Sequence, residues 1–117
     1  ADFENCKFYH CTFDNASLVN CNLQNALFSN CSLYNVTAEE AELQNARFFS
    51  CNLAKAFFTH SNFKEAVLKS CQTTSSSFMN CCIENIALEE TDLPNDEMFD
   101  SELDWIKNDI PDFEPNM

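Results

Sequence analysis

Cys11, Cys31, Cys51 and Cys71 recur every twenty residues in a chain of 117 residues that holds eight cysteines. Thiols so placed could cross-link the chain or hold a metal. If residues twenty apart stack on successive strand layers, their Cα atoms lie about 4.8 Å apart, inside the disulfide range. Parallel side chains, however, keep their Cβ atoms about as far apart, beyond the favoured ~3.8 Å. Zinc needs four ligands that converge on one point, and a linear column does not converge. The expected role is therefore that of small buried residues interchangeable with alanine, and no metal or cofactor is expected. Cys82 falls at an outward place and is a candidate surface thiol. Free thiols in this number suit a reducing compartment, so a cytoplasmic setting is expected.

His10 and His60 lie on different parts of the repeat and neither has a nearby paired carboxylate. Glycine is absent, which removes any glycine-rich phosphate loop. No triad or convergent acid pair is legible, and an enzyme is not expected. The net charge of −13 disfavours nucleic acid and anionic membrane as direct partners. No apolar run is long enough to span a membrane as a helix. No charged-then-apolar stretch among these residues resembles a signal peptide, and Ala1 already sits inside the pattern, so the chain is expected to be one domain of a longer or processed protein.

The element that must position these residues is a repeat. From Ala1 to Asn95 the chain divides into nineteen blocks of five without an insertion, as in CTFDN ASLVN CNLQN ALFSN CSLYN over residues 11–35. The third place holds Phe eight times, Leu eight times and Ile83, with Ala38 and Thr73 as the exceptions. The first place holds Ala seven times and Cys seven times, with Val36, Ser61, Ser76, Ile86 and Thr91 filling the rest. A large residue must point inward once per block, and a small one must fit beside it. A helix advancing about 100° per residue would spread such residues over every side, and a flat strand with period two cannot keep an odd period. The chain must turn once per block.

The fifth place, Asn in ten blocks, supports that turn, because Asn tolerates positive φ where glycine is missing. Turns of another type are expected where the fifth place is Glu40, Ser50, Lys55, Glu65, Ser70, Ser75 or Glu90. The twenty-residue period of the cysteines recurs in Ala26, Ala46 and Ala66 and in Phe8, Phe28 and Phe48. Twenty is four blocks, so a coil of four sides would stack each set in a column.

Ala1-Asp2-Phe3, Cys21-Asn22-Leu23 and Cys51-Asn52-Leu53 resemble the A(D/N)LXX motif of the pentapeptide-repeat family, and the resemblance extends over residues 1–95. It implies an all-β fold: a right-handed, quadrilateral β-helix with four repeats per coil, hence about 4.75 coils and a rod about 23 Å long. Residues 96–110 break the pattern. Asn95 is a helix-capping residue, Asp96 and Glu97 suit a first turn, and Phe99, Leu103, Ile106 and Ile110 follow helical spacing up to Pro111. This segment is expected to be a helical cap on the last coil, with 111–117 a loose tail. Met98 and Trp105 lie beside the main stripe; together with Phe99, Leu103 and Ile106 they are candidates for a cap or a dimer contact. The resemblance implies that some relatives form homodimers through such a helix.

Sorting the blocks by four gives four sides with net charges of −4, +1, −1 and −2, and the segment after the repeats adds −7. The second side, built from residues 6–10, 26–30, 46–50, 66–70 and 86–90, is the basic one. Its outward places carry Tyr9, Leu27, Phe49 and Val67 beside Lys7, Arg47 and Lys69, a combination expected of a protein-binding surface. The resemblance implies two kinds of role. One is a non-enzymatic scaffold for protein–protein interaction, as in modules of bacterial effectors delivered into host cells. The other is an acidic DNA mimic that binds a type II topoisomerase such as DNA gyrase. Duplex DNA of the rod's length carries roughly fourteen charges. The repeats supply a net −6, so the scaffold is the expected role and the mimic the alternative.

Overall fold

The structure, a computed structural model, describes residues 2–93. They form a parallel β-solenoid of about four turns. Five short strands, β1 (Lys7–Tyr9), β2 (Leu27–Ser29), β3 (Arg47–Phe49), β4 (Val67–Lys69) and β5 (Ala87–Glu89), make one parallel sheet in chain order. The register is twenty residues throughout, as in Phe8↔Phe28 and Phe28↔Phe48. The other three sides pair through single parallel bridges with the same offset, such as Asn22↔Glu42, Ser32↔Asn52 and Thr37↔Phe57. Every five-residue block is therefore one side of a four-sided turn.

The core sits on the axis and is built from the first and third places. Phe28, Phe48, Leu68, Leu33, Leu53, Leu43, Phe63, Phe58 and Phe78 are fully buried or nearly so, as are Ala26, Ala46, Ala56 and Ala66. Residues of one column stack directly: the Phe28 and Phe48 rings are 4.8 Å apart and 2° from parallel, and Phe58 lies 5.2 Å from Phe78. Neighbouring columns meet edge to face, as in Phe58–Phe63 at 5.1 Å. The two third-place exceptions differ in burial. Ala38 is fully buried beside an equally buried Val36, so the larger first residue fills what the smaller third one vacates. Thr73 is half-buried, and its hydroxyl donates to the Asp92 carbonyl one turn on.

The corners correct one expectation. All the fifth places from Asn5 to Glu90 have positive φ, between 51° and 67°, whatever residue stands there. Glu40 (55°), Ser50 (56°), Lys55 (60°), Glu65 (61°), Ser70 (57°), Ser75 (61°) and Glu90 (51°) make the same left-handed corner as the asparagines. Residue preference is overruled because each corner is pinned to the turn above it. The amides of Lys55 and Glu65 donate to the Thr74 and Glu84 carbonyls at 2.8 Å. A changed corner would break the register of every later rung. The left-handed conformation costs an ordinary residue roughly 1–2 kcal/mol, and Asn less. Glu65→Asn is therefore expected to raise stability by about 0.5–1 kcal/mol in urea unfolding; an unchanged midpoint would contradict the corner account. The helix expected over residues 96–110, with Met98, Phe99, Leu103, Trp105 and Ile106, and the tail 111–117 lie outside the described residues.

Candidate protein-interaction surface

The second side differs from the others because of its corner. On the other sides an i→i+3 bond commonly closes the turn, for example Ala46 N–H to the Leu43 carbonyl at 3.0 Å and Ala56 N–H to Leu53 at 3.1 Å. After β1, β2 and β3 the corresponding carbonyls are taken by thiols instead. Cys31 Sγ donates to the Phe8 carbonyl (3.3 Å), Cys51 Sγ to Phe28 (3.2 Å) and Cys71 Sγ to Phe48 (3.3 Å). Each thiol comes from the following turn. The chain stays extended through all three middle residues of the block, and this side alone among the described residues forms three-residue strands. The amide side is matched too: the N–H groups of Cys11, Cys31 and Cys51 lie against the sulfurs of Cys31, Cys51 and Cys71. Cys71 N–H donates to Thr91 Oγ1 at 3.0 Å. On the first side, Ser61 does the same, accepting from Ala41 N–H (3.0 Å) and donating to the Ala38 carbonyl (2.6 Å). The cysteines of this column are thus hydrogen-bonded corner pieces, which corrects their expected equivalence to alanine. An alanine has no group to bridge the amide and carbonyl of the turn below. Burial pushes the Cys31 thiol up, and the adjacent Cys71 thiol followed by burial does the same to Cys51.

On the flat face made by β1–β5, two outward columns run side by side. One reads Lys7, Leu27, Arg47, Val67, Ala87 and the other Tyr9, Ser29, Phe49, Lys69, Glu89. Lys7, Arg47 and Lys69 are exposed, Tyr9 is 56% exposed, and Phe49 and Val67 are half-buried. Leu27 stands at an outward place yet is only 9% exposed. Its register partners are Lys7 and Arg47, whose long aliphatic stems lie one rung below and above. Leu27 therefore supports the surface rather than presenting itself on it. Among the described residues the one ion pair joins Lys64 to Glu84 on the first side, at 3.9 Å, and Lys55 lies over the Tyr34 ring on the third. The three basic residues of the second side take no part in either of these contacts.

Sequence reasoning missed a second exposed group. Val19 (38%), Phe57 (44%) and Met79 (42%) all project from the fourth side, beside Glu39 and Glu40. The sorting by four already places them on one side, but that side has no lysine or arginine to mark it. The histidines stay apart: His10 and His60 are exposed corner residues of different sides, and His60 faces Asn80 at 3.4 Å.

A parallel solenoid of four five-residue sides, with small and large inner residues alternating at fixed places, defines a class of repeat scaffold. Profiles for the pentapeptide repeat region and for pentapeptide repeats (8 copies) match residues 22–98 and 1–35, and the chain belongs to the pentapeptide-repeat family. The fold is similar to that of a pentapeptide repeat protein from the Arabidopsis thaliana thylakoid lumen. That likeness has a TM-score of 0.71 and 12% identity, over 81% of this chain and 72% of that one. Weaker likenesses are to HetL of Nostoc, a protein involved in heterocyst differentiation regulation, and to QnrB1, a plasmid-mediated fluoroquinolone resistance protein. HetL gives a TM-score of 0.43 at 13% identity, over 80% of this chain and 52% of that one. QnrB1 gives 0.26 at 16%, over 93% and 88%. No curated protein sequence matches the chain.

Proposed function

We propose that this protein is a non-enzymatic scaffold that binds another protein through its second side, with Lys7, Tyr9, Arg47, Phe49, Val67 and Lys69 as the contact residues and Leu27 as their support. The observation that carries the reading is the pairing of an exposed Tyr9 and a half-buried Phe49 with three basic side chains that take part in no ion pair among the described residues, on the one side of net positive charge. Aromatic and arginine anchors are the residue types that dominate binding energy at interfaces, and cations held on a flat sheet select an acidic, partly apolar partner. A folded rod also presents its contacts with little ordering left to do on binding. The fold alone does not name the partner. The eight cysteines without a disulfide among the described residues fit a reducing, cytoplasmic setting, including that of a host cell receiving an effector.

The DNA-mimic alternative has less support, because the described residues carry a net charge of −6 and place Lys7, Arg47 and Lys69 on one face. A gyrase supercoiling assay separates the two readings: the scaffold leaves supercoiling unchanged, and inhibition or drug protection would reverse the ranking. The surface itself is tested by the Tyr9→Ser, Phe49→Ser double variant. Both side chains project outward, so the variant is expected to keep its circular dichroism spectrum and thermal midpoint while losing at least tenfold in affinity for the protein it recovers. Undiminished affinity would remove the second side from consideration.

A further inference from the structure

Along the corner between the second and third sides runs an open groove of about 550 Å³. Its lining holds Cys11, Cys31 and Cys51 together with hydroxyl and amide side chains, among them Thr12, Ser32 and Asn52, and the His10 imidazole at one end. Cys71 continues the same column one rung further. Successive thiols are neighbours one rung apart, Cys11 with Cys31, Cys31 with Cys51 and Cys51 with Cys71, and the sulfurs of Cys31, Cys51 and Cys71 each reach a carbonyl twenty-three residues back. No group of three or more metal-ligating side chains converges among the described residues, which excludes the tetrahedral zinc arrangement there. A column that cannot surround an ion can still clamp one from two ends. Two metal–sulfur bonds of about the zinc–sulfur length, ~2.3 Å, opposed in line, span sulfurs ~4.6 Å apart. One strand layer is ~4.8 Å.

We propose that this cysteine column is a binding site for soft monovalent cations, Cu(I) or Ag(I), held in linear two-coordinate geometry, one between Cys11 and Cys31 and one between Cys51 and Cys71. Thiolate ligands suit soft ions such as Cu(I) and disfavour calcium and magnesium, and a two-sulfur site lacks the four converging ligands that zinc takes. In each site two S–H bonds break, two metal–sulfur bonds form, and two protons leave to solvent. The cation enters as a monovalent ion and stays one, so no electron is transferred and the bis-thiolate site carries one negative charge. The backbone supplies compensation already in place: the N–H groups of Cys31 and Cys51 point at the sulfurs of Cys51 and Cys71, and that of Cys11 at Cys31. The groove gives the ion a path from solvent to buried sulfurs. Because the thiols must lose protons, uptake strengthens as pH rises.

The test is titration of the intact protein with Ag(I) in the presence of an equimolar monothiol, which strips silver from isolated cysteines but not from a two-sulfur clamp. Two silver ions per chain are expected to be retained, with X-ray absorption showing two sulfurs per silver. Cys51→Ser should retain one ion, Cys11→Ser with Cys51→Ser none, and Cys6→Ser with Cys82→Ser two. Serine keeps a hydroxyl where Ser61 and Thr91 already serve the same corner role, so these variants preserve the fold. Three or more sulfurs per silver in the unsubstituted protein, or full retention by the Cys11→Ser, Cys51→Ser variant, would overturn the proposal.

Discussion

Phe48→Ala is expected to lower the unfolding free energy by about 4 kcal/mol, measured by urea denaturation, since removing a fully buried phenylalanine costs roughly 3–5 kcal/mol. A domain of this size is stable by only ~5–15 kcal/mol, so the loss approaches the whole. The size follows from position. Phe48 is completely buried, stacks on Phe28 at 4.8 Å, and has Leu68 as its register partner on the other side. In a solenoid, stability is close to a sum over turns and the contacts between neighbouring turns, so a middle-rung residue weakens two such contacts at once. Phe3 occupies an equivalent third place at the first rung and is half-buried. Phe3→Ala should therefore cost less than half as much. Equal losses at the two positions would mean that stacking between turns is not what holds the rod.

The second large effect comes from adding atoms. Ala46→Leu should destabilise by about 3 kcal/mol, the upper part of the range for overpacking a close-packed core. Ala26, Ala46 and Ala66 are wholly buried in one column, and each has turns above and below it. The rungs cannot spread to admit a leucine, because Arg47 N–H donates to the Ala26 carbonyl and Val67 N–H to the Ala46 carbonyl, both at 2.9 Å. The same column tolerates Ile86, which is 8% exposed and stands on the last described rung of that side. Ala66→Leu should thus resemble Ala46→Leu, whereas Ile86→Ala should cost the ~2–5 kcal/mol of an ordinary large-to-small change, or less where the site is partly open. A neutral Ala46→Leu would show that the small first place is a habit of sequence rather than a steric need.

Much of this architecture is legible in the chain because the repeat is a direct image of the coil. The five-residue period gives the corners, the twenty-residue period gives the number of sides, and the alternation of Ala or Cys with Phe or Leu gives the two inner columns. Three things were hidden. Glu65 and its equivalents adopt the asparagine corner because the ladder bonds fix φ, a constraint exerted by residues one turn away. Cys31, Cys51 and Cys71 look like alanine substitutes until their carbonyl partners, twenty-three residues back, come into view. The exposure of an outward residue depends on its neighbours in the column: Leu27 is covered between Lys7 and Arg47, while Phe57, between Thr37 and Ser77, stands clear. Periodicity names the column, and the size of the rung above and below decides what solvent or a partner can reach.

On the reading proposed above, the inner places carry shape and the outer places carry recognition, so the four sides differ in function. The most direct measurement is the affinity for one recovered partner of two folded double variants, Tyr9→Ser with Phe49→Ser on the second side and Val19→Ser with Phe57→Ser on the fourth. The account predicts loss of at least tenfold for the second-side variant and an affinity within twofold of the unsubstituted protein for the fourth. Loss on the fourth side with retention on the second would contradict it, and would move the binding surface to Val19, Phe57 and Met79.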